Sequence, residues 1–116
     1  MTKRLYKLEK GPCIYICENN IQQNKIGYSP NINKSMKNFT KLKFILYCND
    51  SVEFKQIIKI KFKKHLILLN GEFIIPELPF DEIKKSILKI AEILNLEYTT
   101  IEDEELVKFN ENKVKN

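Results

Sequence analysis

Two apolar runs, Leu66-Ile67-Leu68-Leu69 and Glu72-Phe73-Ile74-Ile75, flank the dipeptide Asn70-Gly71 and constrain this chain more than any other stretch. Asn-Gly readily adopts the positive φ that a two-residue hairpin turn requires. The flanking runs are therefore expected to fold back on each other as antiparallel strands, which commits the chain to a sheet. Pro76 and Pro79 end that region, because proline cannot donate to a ladder.

The remaining segments supply partners for this hairpin. Cys13-Ile14-Tyr15-Ile16-Cys17 is β-branched and aromatic, follows the turn signal Gly11-Pro12, and reads as a strand. Glu18-Asn19-Asn20 makes a turn, and Lys25-Ile26-Gly27 is expected to be the second arm of a hairpin. Ser29-Pro30 opens a helix, serine as the cap and proline at the first position. Its apolar stripe is Ile32, Met36 and Phe39, and it ends near Phe39. Leu42 to Cys48 is an apolar, central strand. Asp50 and Glu53 resemble a capping box for a helix from Ser51 to His65. That helix buries Phe54, Ile57, Ile58 and Phe62 and carries Lys55, Lys59 and Lys63 on its other side. Lys59 to Lys63 also alternates with a strand period, but length and the cap favour helix. Asp81 caps a helix over 81–95 with Ile83, Ile87, Ile90 and Leu94 on one face, and a further helical stretch is expected from Thr100 to Phe109.

The predicted class is α+β: a small mixed or antiparallel sheet flanked by helices, in the order β-β-α-β-α-β-β. The expected division is a lead-in over 1–10, the domain over 11–76, a helical appendage over 77–109 and a disordered tail over 110–116. No internal repeat is visible.

At 116 residues, one compact domain is the natural size. No apolar run approaches the length of a membrane span, and none near the start makes a signal peptide. Three cysteines without a Cys-x-x-Cys, and a single histidine, fit neither a disulfide framework nor a Cys/His zinc site. An intracellular, reducing setting is expected. Lysine outnumbers arginine 19 to 1, and Lys, Asn and Ile together make 48 of the residues, as in AT-rich coding. Residues 1–75 carry a net +9 and residues 76–116 a net −4, so the first segment can attract a polyanion.

The ordered set Cys13-Ile14-Tyr15, Lys25-Ile26-Gly27, the Asn31-Ile32 helix start and Asn70-Gly71-Glu72-Phe73 resembles the GIY-YIG nuclease fold, especially its phage and large-DNA-virus branch. The resemblance covers roughly residues 11–75. It implies metal-assisted phosphodiester hydrolysis: a tyrosine near the attacking water, an arginine on the transferring phosphate and a glutamate holding one divalent metal. Carried onto this sequence, Tyr15 fits the first tyrosine and Lys25 takes the second tyrosine's slot, while Cys13 stands where glycine is usual. The arginine slot falls on Ser35, which cannot form a bidentate cation–phosphate contact. The glutamate slot falls on Lys55, a cation that repels the metal. Losing one charge-stabilising donor costs about 10²–10³ in rate, and here both functions are replaced. The resemblance thus implies a nuclease scaffold without nuclease chemistry.

Three functions follow as expectations. The first is a catalytically degenerate, non-sequence-specific DNA-binding or assembly module of viral or phage origin, needing no cofactor. It would track phosphates with Lys34, Lys37, Lys41, Lys55, Lys59 and Lys63. The second is an active endonuclease using Mg²⁺ or Mn²⁺, with Tyr15 and Lys25 catalytic, Glu53 as metal ligand and Lys34 in place of arginine. The third is a protein-interaction or self-associating domain that uses the 81–95 helix. The competing structural readings are a packed strand aromatic for Tyr15, a solvated face for the lysine row, buried free thiols for Cys13 and Cys17, and a helix-end surface residue for His65. Glu72 reads equally as a turn carboxylate or as the family's glutamate.

Overall fold

The computed structural model describes residues 11–19, 21–32, 41–69, 72–102 and 106. Strands β1 (Cys13–Glu18) and β2 (Asn24–Ser29) pair antiparallel, from Cys13 opposite Ser29 to Glu18 opposite Asn24. Their turn is held by Asn19, whose Oδ1 accepts the N–H groups of Ile21 and Gln23 at 3.1 and 2.8 Å. Strand β3 (Lys41–Tyr47) pairs antiparallel with the other side of β1. Ile16 faces Phe44 but Cys17 faces Leu42, so Lys43 is an extra residue on β3. Such a bulge re-aims a side chain without breaking the strand.

Helix α1 (Ser51–Lys61) follows, then β4 (Ile67–Leu69) and β5 (Glu72–Ile75), which pair antiparallel as the Asn-Gly hairpin requires. The turn residues 70 and 71 lie outside the described residues, as do the predicted 30–39 helix beyond Ile32 and the 110–116 tail. Helix α2 (Phe80–Ile93) leads to β6 (Thr99–Glu102). The described strands form one antiparallel sheet in the order β4-β5-β2-β1-β3-β6, so the α+β reading holds. No helix among the described residues is long and apolar enough to cross a membrane.

The two faces of the sheet bury different clusters. On one face, Ile14, Ile16, Phe44 and Leu46 meet Phe54, Ile58 and Phe62 of the α1 region and Ile83, Ile87 and Ala91 of α2. On the other, Cys13, Tyr15, Cys17, Ile45 and Tyr47 pack with Ile32 and Leu106. Period-two alternation along β1 creates this division.

Five local expectations are corrected. Thr99–Glu102 is a strand, pairing Ile101 with Ile45. The β-branched Thr99-Thr100-Ile101 run suits a ladder, and the unpaired edge of β3 supplies its partners. Helix α1 stops at Lys61 rather than His65; Phe62 turns into the core, and its carbonyl accepts the N–H groups of both His65 and Leu66. Ile57 is not buried. Asp50 is the N-cap residue but makes no side-chain capping bond, and the adjacent Ser51 hydroxyl donates to the Cys48 carbonyl at 2.6 Å. For α2 the N-cap is Pro79, with Asp81 and Glu82 in the first turn, where carboxylates favour the helix dipole. Its other end is closed by Asn95 at φ 56, with Leu96 N–H donating to the Ala91 carbonyl at 3.0 Å; asparagine tolerates that left-handed cap.

Candidate functional site

The β1–β2 register sets Tyr15 opposite Gly27 and Cys17 opposite Lys25. The phenol end of Tyr15 lies directly over the Gly27 backbone, where a Cβ would overlap the ring. Glycine is required here by close approach, not by backbone conformation. Beyond Ile26 the described pairing of β2 with β5 stops. At that edge Tyr15, Lys25, Gly27 and Tyr28 of the hairpin, Phe73 of β5 and Lys55 of α1 enclose a cavity of about 150 Å³.

Two lysines are among the described residues that line the cavity. Lys25 is buried and Lys55 half-buried. Burial, followed by repulsion from Lys59, holds the Lys55 ammonium below its ordinary pKa, because desolvation disfavours the charged form. Two of the α1 lysines attend Phe73: Lys59 Nζ lies 3.7 Å from the ring centroid and Lys55 Nζ 5.9 Å, within the range of cation–π attraction. No carboxylate among the described residues lines the cavity. The Glu72 side chain lies outside the described residues.

Tyr15, Lys25 and Lys55, singled out separately along the sequence, thus share one hollow. Tyr15 also satisfies its structural reading, since it is buried in the second cluster. Lys59 joins through Phe73, whereas Lys63 sits exposed in the turn after α1 and leaves the predicted helical row. Lys41 is exposed at the start of β3. Lys34, Ser35 and Lys37 lie outside the described residues. Glu53 is exposed and lines a separate depression with Phe54, Ile57, Leu94 and Leu96. Among the described residues, no three of His, Cys, Asp and Glu gather as a metal site.

The thiols are structural. Cys13, Cys17 and Cys48 are buried thiols outside any disulfide; burial is the main cause that pushes Cys13 up to about 12, so it stays protonated at neutral pH. His65 is half-exposed beyond the end of α1, with Nδ1 3.5 Å from Glu77 Oε2. A depression of about 450 Å³ near Gly11, Tyr47 and Tyr98 is lined by Glu97 and, among the described residues, by no lysine or arginine.

Sequence reasoning missed a second lysine–aromatic cluster. Phe80 lies under Lys43 at 4.6 Å and Lys84 at 5.6 Å. Lys43 reaches Glu18 at 3.8 Å and Asn24 Oδ1 at 3.5 Å, and Lys84 reaches Glu102 at 2.5 Å. Only the bulge at Lys43 and the edge position of β6 assemble this set, and neither has a local signal. Comparison with family models, with curated proteins and with solved structures found no match.

Proposed function

We propose that this chain binds nucleic acid through backbone phosphates and does not cut it, as a domain similar to the GIY-YIG nucleases in which the catalytic set has been replaced. The observation that carries this reading is the shared cavity of Tyr15, Lys25 and Lys55. A phenol and two ammonium groups suit the oxygens of a phosphodiester. A half-buried ammonium attracts an anion more strongly than a solvated one, since the local dielectric is lower. Lys59, held on Phe73, adds a cation outside the mouth. Such contacts hold backbone and read no bases, so binding is sequence-tolerant. Where a magnesium-dependent enzyme needs a carboxylate, Lys55 presents a positive charge.

Fluorescence anisotropy with unrelated duplexes at several salt concentrations tests the proposal. The expected slope of log affinity against log salt is about −0.9 per phosphate neutralised. Reversing Lys55 and Lys59 together to glutamate should weaken binding at least tenfold and flatten the slope by about 2. Unchanged affinity in that variant sinks the proposal, as does metal-dependent nicking of supercoiled DNA by the wild-type chain.

A further inference from the structure

Helix α1 has a second exposed side, away from the cationic cavity. Glu53, Ile57, Ile60 and Lys61 fall at i, i+4, i+7 and i+8, which places them within about 100° of one another around the axis. All four are exposed, Ile60 at 73% and Ile57 at 36%. An acidic group thus begins the stripe, two isoleucines occupy its middle, and a basic group ends it. Beside its acidic end, Phe54, Ile57, Leu94 and Leu96 line a largely apolar depression of about 310 Å³.

We infer that this face of α1 packs antiparallel on the same face of a second copy of the chain. The pattern is self-complementary about Ile57. A two-fold axis there sets Glu53 against Lys61 of the second copy, and Lys61 against its Glu53. The same operation brings Ile60 opposite position 54, over the apolar depression. A symmetric dimer needs one patch that complements itself, and an exposed isoleucine facing an apolar hollow supplies the attraction. The two helix dipoles also run in opposite directions, which favours the pairing. A second copy satisfies all of these features with one contact. The surface is distinct from the Tyr15 cavity, so this inference does not depend on nucleic-acid binding.

Sedimentation equilibrium of the full chain, over a concentration series, tests the pairing. Wild type should shift from monomer to dimer mass. Ile60→Asp should weaken association about a hundredfold, because the change acts twice in each dimer. Glu53→Lys alone and Lys61→Glu alone should each weaken it about tenfold. The double variant E53K/K61E should recover wild-type association, and an equimolar mixture of the two single variants should form mixed dimers. Monomer mass throughout the wild-type series overturns the inference. So does a dimer that ignores Ile60→Asp, or charge variants that fail to complement each other.

Discussion

Phe73 and Phe80 each carry two lysine ammonium groups within 6 Å of the ring centroid, yet the two clusters are balanced differently. At Phe80 each lysine has a carboxylate, Glu18 for Lys43 and Glu102 for Lys84. That cluster is a closed structural clasp tying β1, β3, α2 and β6 together. At Phe73 neither lysine has a carboxylate within ion-pair distance among the described residues, and one of them borders a cavity. The aromatic ring there orders the cations without neutralising them. Similar residue types therefore stabilise in one place and leave charge available in the other.

The largest expected effect concerns the backbone beneath the Phe73 side. Gly27→Ala should lower stability by about 1–3 kcal/mol in urea denaturation, since the added methyl meets a buried ring. Combining it with Tyr15→Leu should cost less than the sum of the single changes, because the two positions share one space. Additive losses would mean that the ring yields freely and that Gly27 does not shape the cavity.

A smaller effect probes charge balance itself. Replacing Glu18 and Glu102 together by glutamine should turn the clasp into a second open cationic cluster. Stability should fall by up to about 1 kcal/mol per ion pair, while DNA affinity in anisotropy titrations should rise a few-fold. If affinity does not change, access rather than neutralisation separates the two clusters.

The smallest effect is a pH dependence. Lys55 binds its proton less tightly in the folded chain than in the unfolded one, where its pKa is the ordinary 10.5. The unfolded state therefore holds more protons as pH rises through the folded pKa, and stability increases up to about 10.5. At low pH that contribution is absent, because Lys55 is charged in both states and its desolvation opposes folding. Lys55→Met should flatten this rise in thermal melts recorded at stepped alkaline pH; an identical pH profile in wild type and variant would contradict it.

The fold was legible where local chemistry and tertiary environment agree. The β-branched and aromatic run of β1, the apolar run of β3, the Asn-Gly hairpin and the apolar period of α2 all describe what forms. The readings fail where a distant partner decides. The helix expected from Thr100 gives way to a strand through Glu102, because the β3 edge pairs with its β-branched residues. Leu94 continues the apolar period of α2 on paper, whereas Asn95 closes the helix there and the buried stripe runs Ile83, Ile87, Ala91. At the candidate site, Tyr15, Lys25 and Lys55 stood out individually by resemblance. The stacking of Lys59 on Phe73, and the whole Phe80 clasp, depend on contacts between segments far apart in the chain, which no spacing rule reports.

The close approach of Tyr15 to bare backbone at Gly27 has a consequence for how such a hollow changes over generations. Any side chain arriving at 27 first demands that the aromatic opposite be given up, and a smaller residue at 15 removes a wall before anything new has been gained. The two positions must drift as a pair, so descendants of this chain should either keep the chamber whole or abandon it in a single stroke.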